Sequence, residues 1–194
     1  MYELPTSVEL NGESFKIRNN GDFRVILRLF QALNDTELES SDKTVACLMI
    51  FYDCLNSVED VFHFPYKKEA VDEMMRFINC YQEEDEKPVS VRLIDWEKDS
   101  VLITSAINKV AGKEIRAEKY IHWWTFVGYY MAIGESALST VVSIRHKLAK
   151  GKKLEKHEAI FKQDNPQYFN MDYRTNEQKE DDEYFANLWK GGNN

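Results

Sequence analysis

The apolar positions of the chain change period several times, and each change marks an element. From Ser7 to Ile17, Val8, Leu10, Phe15 and Ile17 alternate with polar residues on either side of Asn11-Gly12, a dipeptide that accepts the positive φ angles of a tight two-residue turn. A small β-hairpin over about residues 7–18 is predicted. Beyond Asn19-Asn20-Gly21 the period becomes helical: Asp22 stands as the cap, and Val25, Ile26, Leu29, Phe30 and Leu33 form one stripe ending near Asn34. A second helix is expected past Ser40-Ser41, capped by Ser41 and running through VACLMIFYDCL, which is apolar over more than half its circumference. VEDVFHFP then reads as a turn, and Pro65-Tyr66 opens a third helix carrying Ala70, Val71, Met74, Met75, Phe77 and Ile78.

The acidic run Glu83-Glu84-Asp85-Glu86 before Lys87-Pro88 reads as an exposed loop. A fourth helix is expected from near Asp95 to Gly112, with Trp96, Leu102, Ile103, Ala106, Ile107 and Val110. A fifth, from about Ala117 to Ile133, contains YIHWWTFVGYYMAI, where Tyr120, Trp123, Val127 and Tyr130 form one stripe and Ile121, Trp124, Gly128 and Met131 another. Such a helix is expected to be buried on both sides. A sixth carries Leu138, Val141, Val142, Arg145 and Leu148. The expected fold class is therefore mainly α: a single multi-helix domain over residues 1–165 around a buried aromatic helix, with the small N-terminal β-hairpin. A polar C-terminal tail, 166–194, follows it, in which Tyr184, Phe185, Leu188 and Trp189 have the spacing of a short docking helix.

Composition narrows the function classes. The 25 aromatic residues (11 Phe, 10 Tyr, 4 Trp) against 8 Gly and 4 Pro among 194 residues suit a packed helical core better than a sandwich or barrel, which need more turn residues. With 25 Lys and Arg against 33 Asp and Glu, the formal charge of −8 opposes general attraction to nucleic acid or to an anionic membrane. Neither is expected as a partner. No apolar run reaches the ~20 residues of a membrane span, and the opening MYELPTSVELNG lacks the basic and apolar regions of a signal peptide. Cys47, Cys54 and Cys80 form no C-x-x-C pair, so a reducing cytoplasm is expected.

Candidate chemistry is sparse. Gly-rich phosphate loops and the H-E-x-x-H zinc signature are missing from the sequence. His63, His122, His146 and His157 share no helical face, so no metal, cofactor or catalytic residue is expected. His122, beside Trp123-Trp124, is read as a core imidazole bonded to a neighbouring carboxylate or carbonyl. Asp95, Glu97 and Asp99 would suit acid–base work, but they are read as first-turn acids complementing a helix dipole. Cys47 and Cys54, on one helix face at i and i+7, are read as small buried hydrophobes because about 10 Å of helix would separate them. The basic segment Arg145, Lys147, Lys150, Lys152, Lys153 and Lys156 lacks the interleaved aromatics of a nucleic-acid surface. It is a candidate dock for an acidic protein partner, and Tyr184, Phe185, Leu188 and Trp189 are a second candidate partner-binding patch.

Several segments together carry a family resemblance. LPTSVELNGESFKIRNNGDFRVIL, LIDWEKDSVLITSAINKVAGKEIR, YIHWWTFVGYYMAIG and SIRHKLAKGKKL make the chain resemble the bacteriophage gene-product-fifteen family of tailed phages and prophages of Gram-positive bacteria. The resemblance spans most of the chain, and its most specific mark is His122-Trp123-Trp124 followed by Ser143-Ile144-Arg145. Gly21, in the link before the first helix, departs from the family pattern and is read as touching only that loop. Members are encoded between the major tail protein and the tape measure protein. The resemblance therefore implies a non-enzymatic tail assembly chaperone or accessory protein that binds the tape measure protein or other phage tail proteins, alone or as a homo-oligomer. It would act in the bacterial host cytoplasm and be absent from the mature virion; the alternative is a structural tail component, a completion or connector protein, retained in the particle. No catalytic or cofactor residues come with it.

Overall fold

The computed structural model describes residues 3–82 and 93–171. The predicted loop at Glu83–Glu86 and the cluster Tyr184, Phe185, Leu188 and Trp189 lie outside the described residues. Within them are strands β1 (Ser7–Leu10) and β2 (Glu13–Lys16) and eight α-helices: α1 (Phe23–Asn34), α2 (Ser40–Phe51), α3 (Val58–His63), α4 (Lys67–Ile78), α5 (Ser100–Ala111), α6 (Trp123–Met131), α7 (Ala137–Ala149) and α8 (Lys156–Asp164). The fold is mainly helical with a small N-terminal hairpin, as the hydrophobic periods predict. Two compact units divide it: residues up to 83 with Thr104–Ile133, and Glu84–Ile103 with the chain from Gly134 onward.

In the first unit, β1 and β2 pair antiparallel with Val8 opposite Phe15 and Leu10 opposite Glu13. Asn11 and Gly12 take φ of 49° and 84°, so both turn residues are left-handed, as a primed two-residue turn requires. Val8 and Leu10, two residues apart on one face, are buried. Asp22 caps α1 as expected, its carboxylate accepting from the Arg24 amide at 3.0 Å.

Several boundaries differ from the sequence reading. Ser41 is not the cap of α2: the cap position is Glu39, without a side-chain bond. The same helix stops at Phe51 instead of running through Leu55, because Tyr52 turns extended and bridges Ile17. Arg18 then donates to the carbonyls of Met49, Tyr52 and Leu55 at 3.2, 2.8 and 2.9 Å, so a residue far away in sequence satisfies acceptors at the helix end. VEDVFHFP is not a plain turn, since Val58–His63 form α3. Ser57 Oγ accepts from the Asp60 amide at 3.1 Å and Asp60 accepts from the Ser57 amide at 2.8 Å, a reciprocal cap.

α6 begins at Trp123, later than the predicted Ala117, and His122 is its N-cap. Residues just before it are held by Asp22, whose Oδ2 accepts from the Ile121 amide at 3.0 Å, and by the Phe23 amide donating to Ile121 O at 2.9 Å. α6 buries Trp123 and Phe126. Phe126 stacks between Phe23, at 4.6 Å and 7°, and Trp123, at 5.6 Å and 19°. The indoles of Trp123 and Trp124 donate to Ile78 O and Phe77 O at 2.8 and 2.9 Å, so the C-terminal carbonyls of α4 are satisfied by side chains of α6. The expectation that this helix is buried on both sides fails: Gly128 and Met131 are exposed, and Val127 and Tyr130 are half-buried. Gly21 is more than a loop residue. It is buried with φ of 74°, and a Cβ there would stand 2.9 Å from Phe77 Cζ and 3.1 Å from His122 Nε2.

The second unit has its own small core of Val141, Ile144 and Phe169, flanked by Leu102, Leu148, Leu154, Phe161 and Tyr168. α5 starts at Ser100, later than Asp95, because residues 96–99 form a turn first.

Candidate interaction surface

The basic segment is built around the end of α7. Gly151, with φ of 62°, closes the helix: its amide reaches Leu148 O at 3.0 Å and the Lys152 amide reaches Lys147 O at 2.8 Å, the αL termination that glycine favours. The chain then runs through Lys152 and Lys153 and re-enters a helix at Lys156.

The structure separates the six cations that the sequence groups together. Arg145 is 1% exposed and points inward. Its guanidinium grips Asp99 at 2.5 and 2.8 Å and donates to Leu93 O at 2.9 Å and to Tyr168 O at 2.8 and 2.6 Å. Arg145 therefore leaves the candidate docking surface, since helical periodicity carries its side chain into the core beside Val141 and Ile144. Lys147 is half-buried and committed to Glu158 at 2.6 Å, with Glu155 at 3.9 Å. That bond ties α7 to α8; the Lys147 ammonium holds the Glu158 carboxyl below its usual range, and Glu158 pushes the Lys147 ammonium up. Lys150, Lys152, Lys153 and Lys156 remain exposed and form no ion pair with a described residue. Lys150 also lies at the negative end of the α7 dipole.

The other candidate groups are structural. His122, 1% exposed, accepts from the Trp124 amide on Nδ1 at 3.1 Å and lies 3.0 Å from Pro5 O through Nε2. Only the neutral tautomer with the proton on Nε2 satisfies both, and burial lowers its pKa. Its carbonyl-bonded, core-ordering reading holds. Asp95, Glu97 and Asp99 do not line the first turn of a helix: Asp95 Oδ1 accepts from the amides of Glu97 and Lys98 at 3.1 and 3.0 Å in the preceding turn. Asp99 is fully buried in its pair with Arg145. Cys47 and Cys54 are both free, though Cys54 is exposed and beyond the end of α2; burial pushes the Cys47 thiol up to about 11, away from thiolate chemistry. A cleft lined by Asn19, Asn20, Asp22, Arg24, Arg28, Lys119 and Tyr120 has Arg24 already committed to Asp22 at 3.0 Å and to Glu118 O at 2.7 Å.

The family described as Bacteriophage Gp15 protein matches residues 1–168. The chain belongs to the Bacteriophage Gp15 protein family. No curated protein and no solved structure matches it significantly. The Gp15 match takes in every helix and strand described above and ends at Tyr168, whose carbonyl Arg145 holds. The tail carrying Tyr184 and Trp189 lies outside it.

Sequence reasoning missed two features of this Gp15 chain. One is the polar anchoring by Arg18, Arg24 and Asp99, and by the second bond of Asp22 to the Ile121 amide, for which a charged residue at a helix boundary is too common a signal. The other is the exposure of Gly128 and Met131 on α6. Gly128 in the middle of a helix with no charged residue was the available signal for it.

Proposed function

We propose that this phage protein is a non-enzymatic tail assembly chaperone that binds the tape measure protein in the host cytoplasm and leaves before the virion is complete. The observation that carries the reading is membership of the Bacteriophage Gp15 protein family over residues 1–168. The chemistry of the buried polar groups supports it: Asp22, Asp99, His122, Arg145 and Glu158 are each engaged in hydrogen bonds within the fold. A long helical tape measure exposes apolar surface until the tail tube closes around it, and a helical partner that covers it suppresses aggregation. Lys150, Lys152, Lys153 and Lys156 offer an acidic stretch of that partner a dock that weakens with salt.

Co-expression with the tape measure protein tests this. The expected result is a soluble complex, absent from purified virions by mass spectrometry, which charge reversal at Lys152 and Lys153 weakens without altering the fold. Unchanged tape-measure solubility together with presence in the particle overturns it in favour of a structural tail component. Binding unaffected by the reversal reduces the lysines to a solubilising surface.

A further inference from the structure

Four lysines of the second unit have no ion-pair partner among the described residues. Lys150, Lys152, Lys153 and Lys156 are exposed, and the two cations before them in the segment are already neutralised, Arg145 by Asp99 and Lys147 by Glu158. Glu155, which stands among them in sequence, is drawn toward Lys147 at 3.9 Å. Four positive charges are therefore left around the end of α7, in a chain whose formal charge is −8. Such a patch attracts whichever carboxylates can reach it.

The same chain carries the matching charge. Residues 177–183 read EQKEDDE, five carboxylates and one lysine with a net charge of −4, and lie outside the described residues. They begin six residues past Met171, and the chain approaches Met171 from an anchored point. Phe169 belongs to the core of Val141 and Ile144, against which Leu148 and Leu154 also pack, and Arg145 holds the Tyr168 carbonyl at 2.6 Å. Leu148 stands two residues before Lys150, and Leu154 lies between Lys153 and Lys156. Along α7, Lys150 is only about 8 Å of helix beyond Arg145. The eight residues from Phe169 to Glu177 span up to about 27 Å when extended, so the tether is long enough for the acidic run to reach the lysines.

We propose that the acidic run of residues 177–183 docks on Lys150, Lys152, Lys153 and Lys156 of its own chain, and occupies the basic patch until a stronger acidic partner displaces it. Tethering favours this occupant over a separate one. A segment joined by so short a link meets the patch at an effective concentration on the order of mM. A separate acidic molecule must instead approach against the net charge of the whole chain. The inference concerns the free chain and does not rest on the tape-measure reading; where that reading holds, the tape measure competes with the tail for the same four lysines.

Carbodiimide coupling of the purified full chain, which joins carboxylates to amines in direct contact, tests this when read by peptide mass spectrometry. Coupling of these four lysines to Glu177, Glu180, Asp181, Asp182 or Glu183 within the monomer is expected at low salt. It should fall at least about fivefold at about 1 M salt. The Lys147–Glu158 pair reports that coupling worked. Binding of labelled polyglutamate supplies a second readout. The combined change Glu177→Gln, Glu180→Gln, Asp181→Asn, Asp182→Asn and Glu183→Gln should tighten it about fivefold or more at low salt. In a Lys152→Gln, Lys153→Gln background that gain should shrink below about twofold, whereas a mere change in net charge would act equally in both. An unchanged affinity on neutralising the tail, or the same gain in both backgrounds, overturns the proposal. Lysines that couple only to another copy or to Glu83, Glu84, Asp85 or Glu86, or that do not couple at all, overturn it as well.

Discussion

The pair Asp99–Arg145 gives the sharpest stability prediction. Both side chains are essentially out of solvent, at 0% and 1% exposure, and the guanidinium also serves Leu93 O and Tyr168 O. Asp99→Asn keeps the shape but leaves a buried guanidinium without its counter-charge, a loss of about 3–5 kcal/mol. Arg145→Met strands the Asp99 carboxylate and two carbonyls, with a similar cost of about 3–5 kcal/mol. Against a typical domain stability of about 5–15 kcal/mol, either change should bring the second unit close to unfolding. Because most of the cost is the unpaired charge, Asp99→Leu with Arg145→Met should cost at least about 2 kcal/mol less than the sum of the two single changes. Urea unfolding followed by circular dichroism gives the energies, and amide exchange along α7 and around Tyr168 shows which unit loosens. Strict additivity, or a cost below about 1 kcal/mol for Asp99→Asn, would refute the argument.

Burial lowers the pKa of His122, so the unfolded chain takes up its proton before the folded one. Its stabilising contribution is therefore full above the ordinary histidine pKa of about 6.5 and declines as pH falls below it, by at most about 1.4 kcal/mol per pH unit. His122→Asn puts a capping oxygen in place of the Nδ1 acceptor and should flatten that dependence in urea unfolding at pH values on either side; an unchanged slope contradicts the assignment. Gly21→Ala should cost more than about 2 kcal/mol, because a left-handed alanine would also crowd Phe77. Gly12→Ala, left-handed but in open space, should cost about 1 kcal/mol, and equal thermal shifts would remove the role given to packing at Gly21. Ser57→Ala removes the reciprocal cap of α3 and should cost about 1 kcal/mol in denaturant unfolding; no loss would show that α3 is held by packing alone.

The helices were legible where their determinants are local. The 3.6-residue stripe of α1 and the Asp22 cap lie within one stretch, and the Asn-Gly turn needs only its own two residues. What was not legible was set by residues distant in sequence. α2 stops at Phe51 because Arg18 supplies donors to its end, and α6 starts late because Asp22 holds the Ile121 amide. No window of the sequence contains both partners of either bond. α3 is the exception: Ser57 and Asp60 are a local capping signal, but the six-residue helix they start is too short for periodicity to register.

The basic segment shows how far a charge pattern alone can be carried. Arg145, Lys147, Lys150, Lys152, Lys153 and Lys156 form one cluster in sequence, yet on a helix a side chain's direction is set by its phase. Arg145 falls three and four residues after Val142 and Val141, in the core phase, and a buried cation requires a counter-charge. Asp99, read first as a dipole acid, supplies it. Lys147 lies on the flank where α8 passes and takes Glu158. Only after Gly151 ends the helix does phase cease to matter, and there Lys152 and Lys153 reach solvent together with Lys150 and Lys156. A partner that recognised the segment would therefore read four lysines around a helix end, and the two cations nearest the core would affect its binding only through the fold. If the proposed tape-measure complex forms, Arg145→Met should reduce it in proportion to the population unfolded. Charge reversal at Lys152 and Lys153 should reduce it with the folded fraction unchanged.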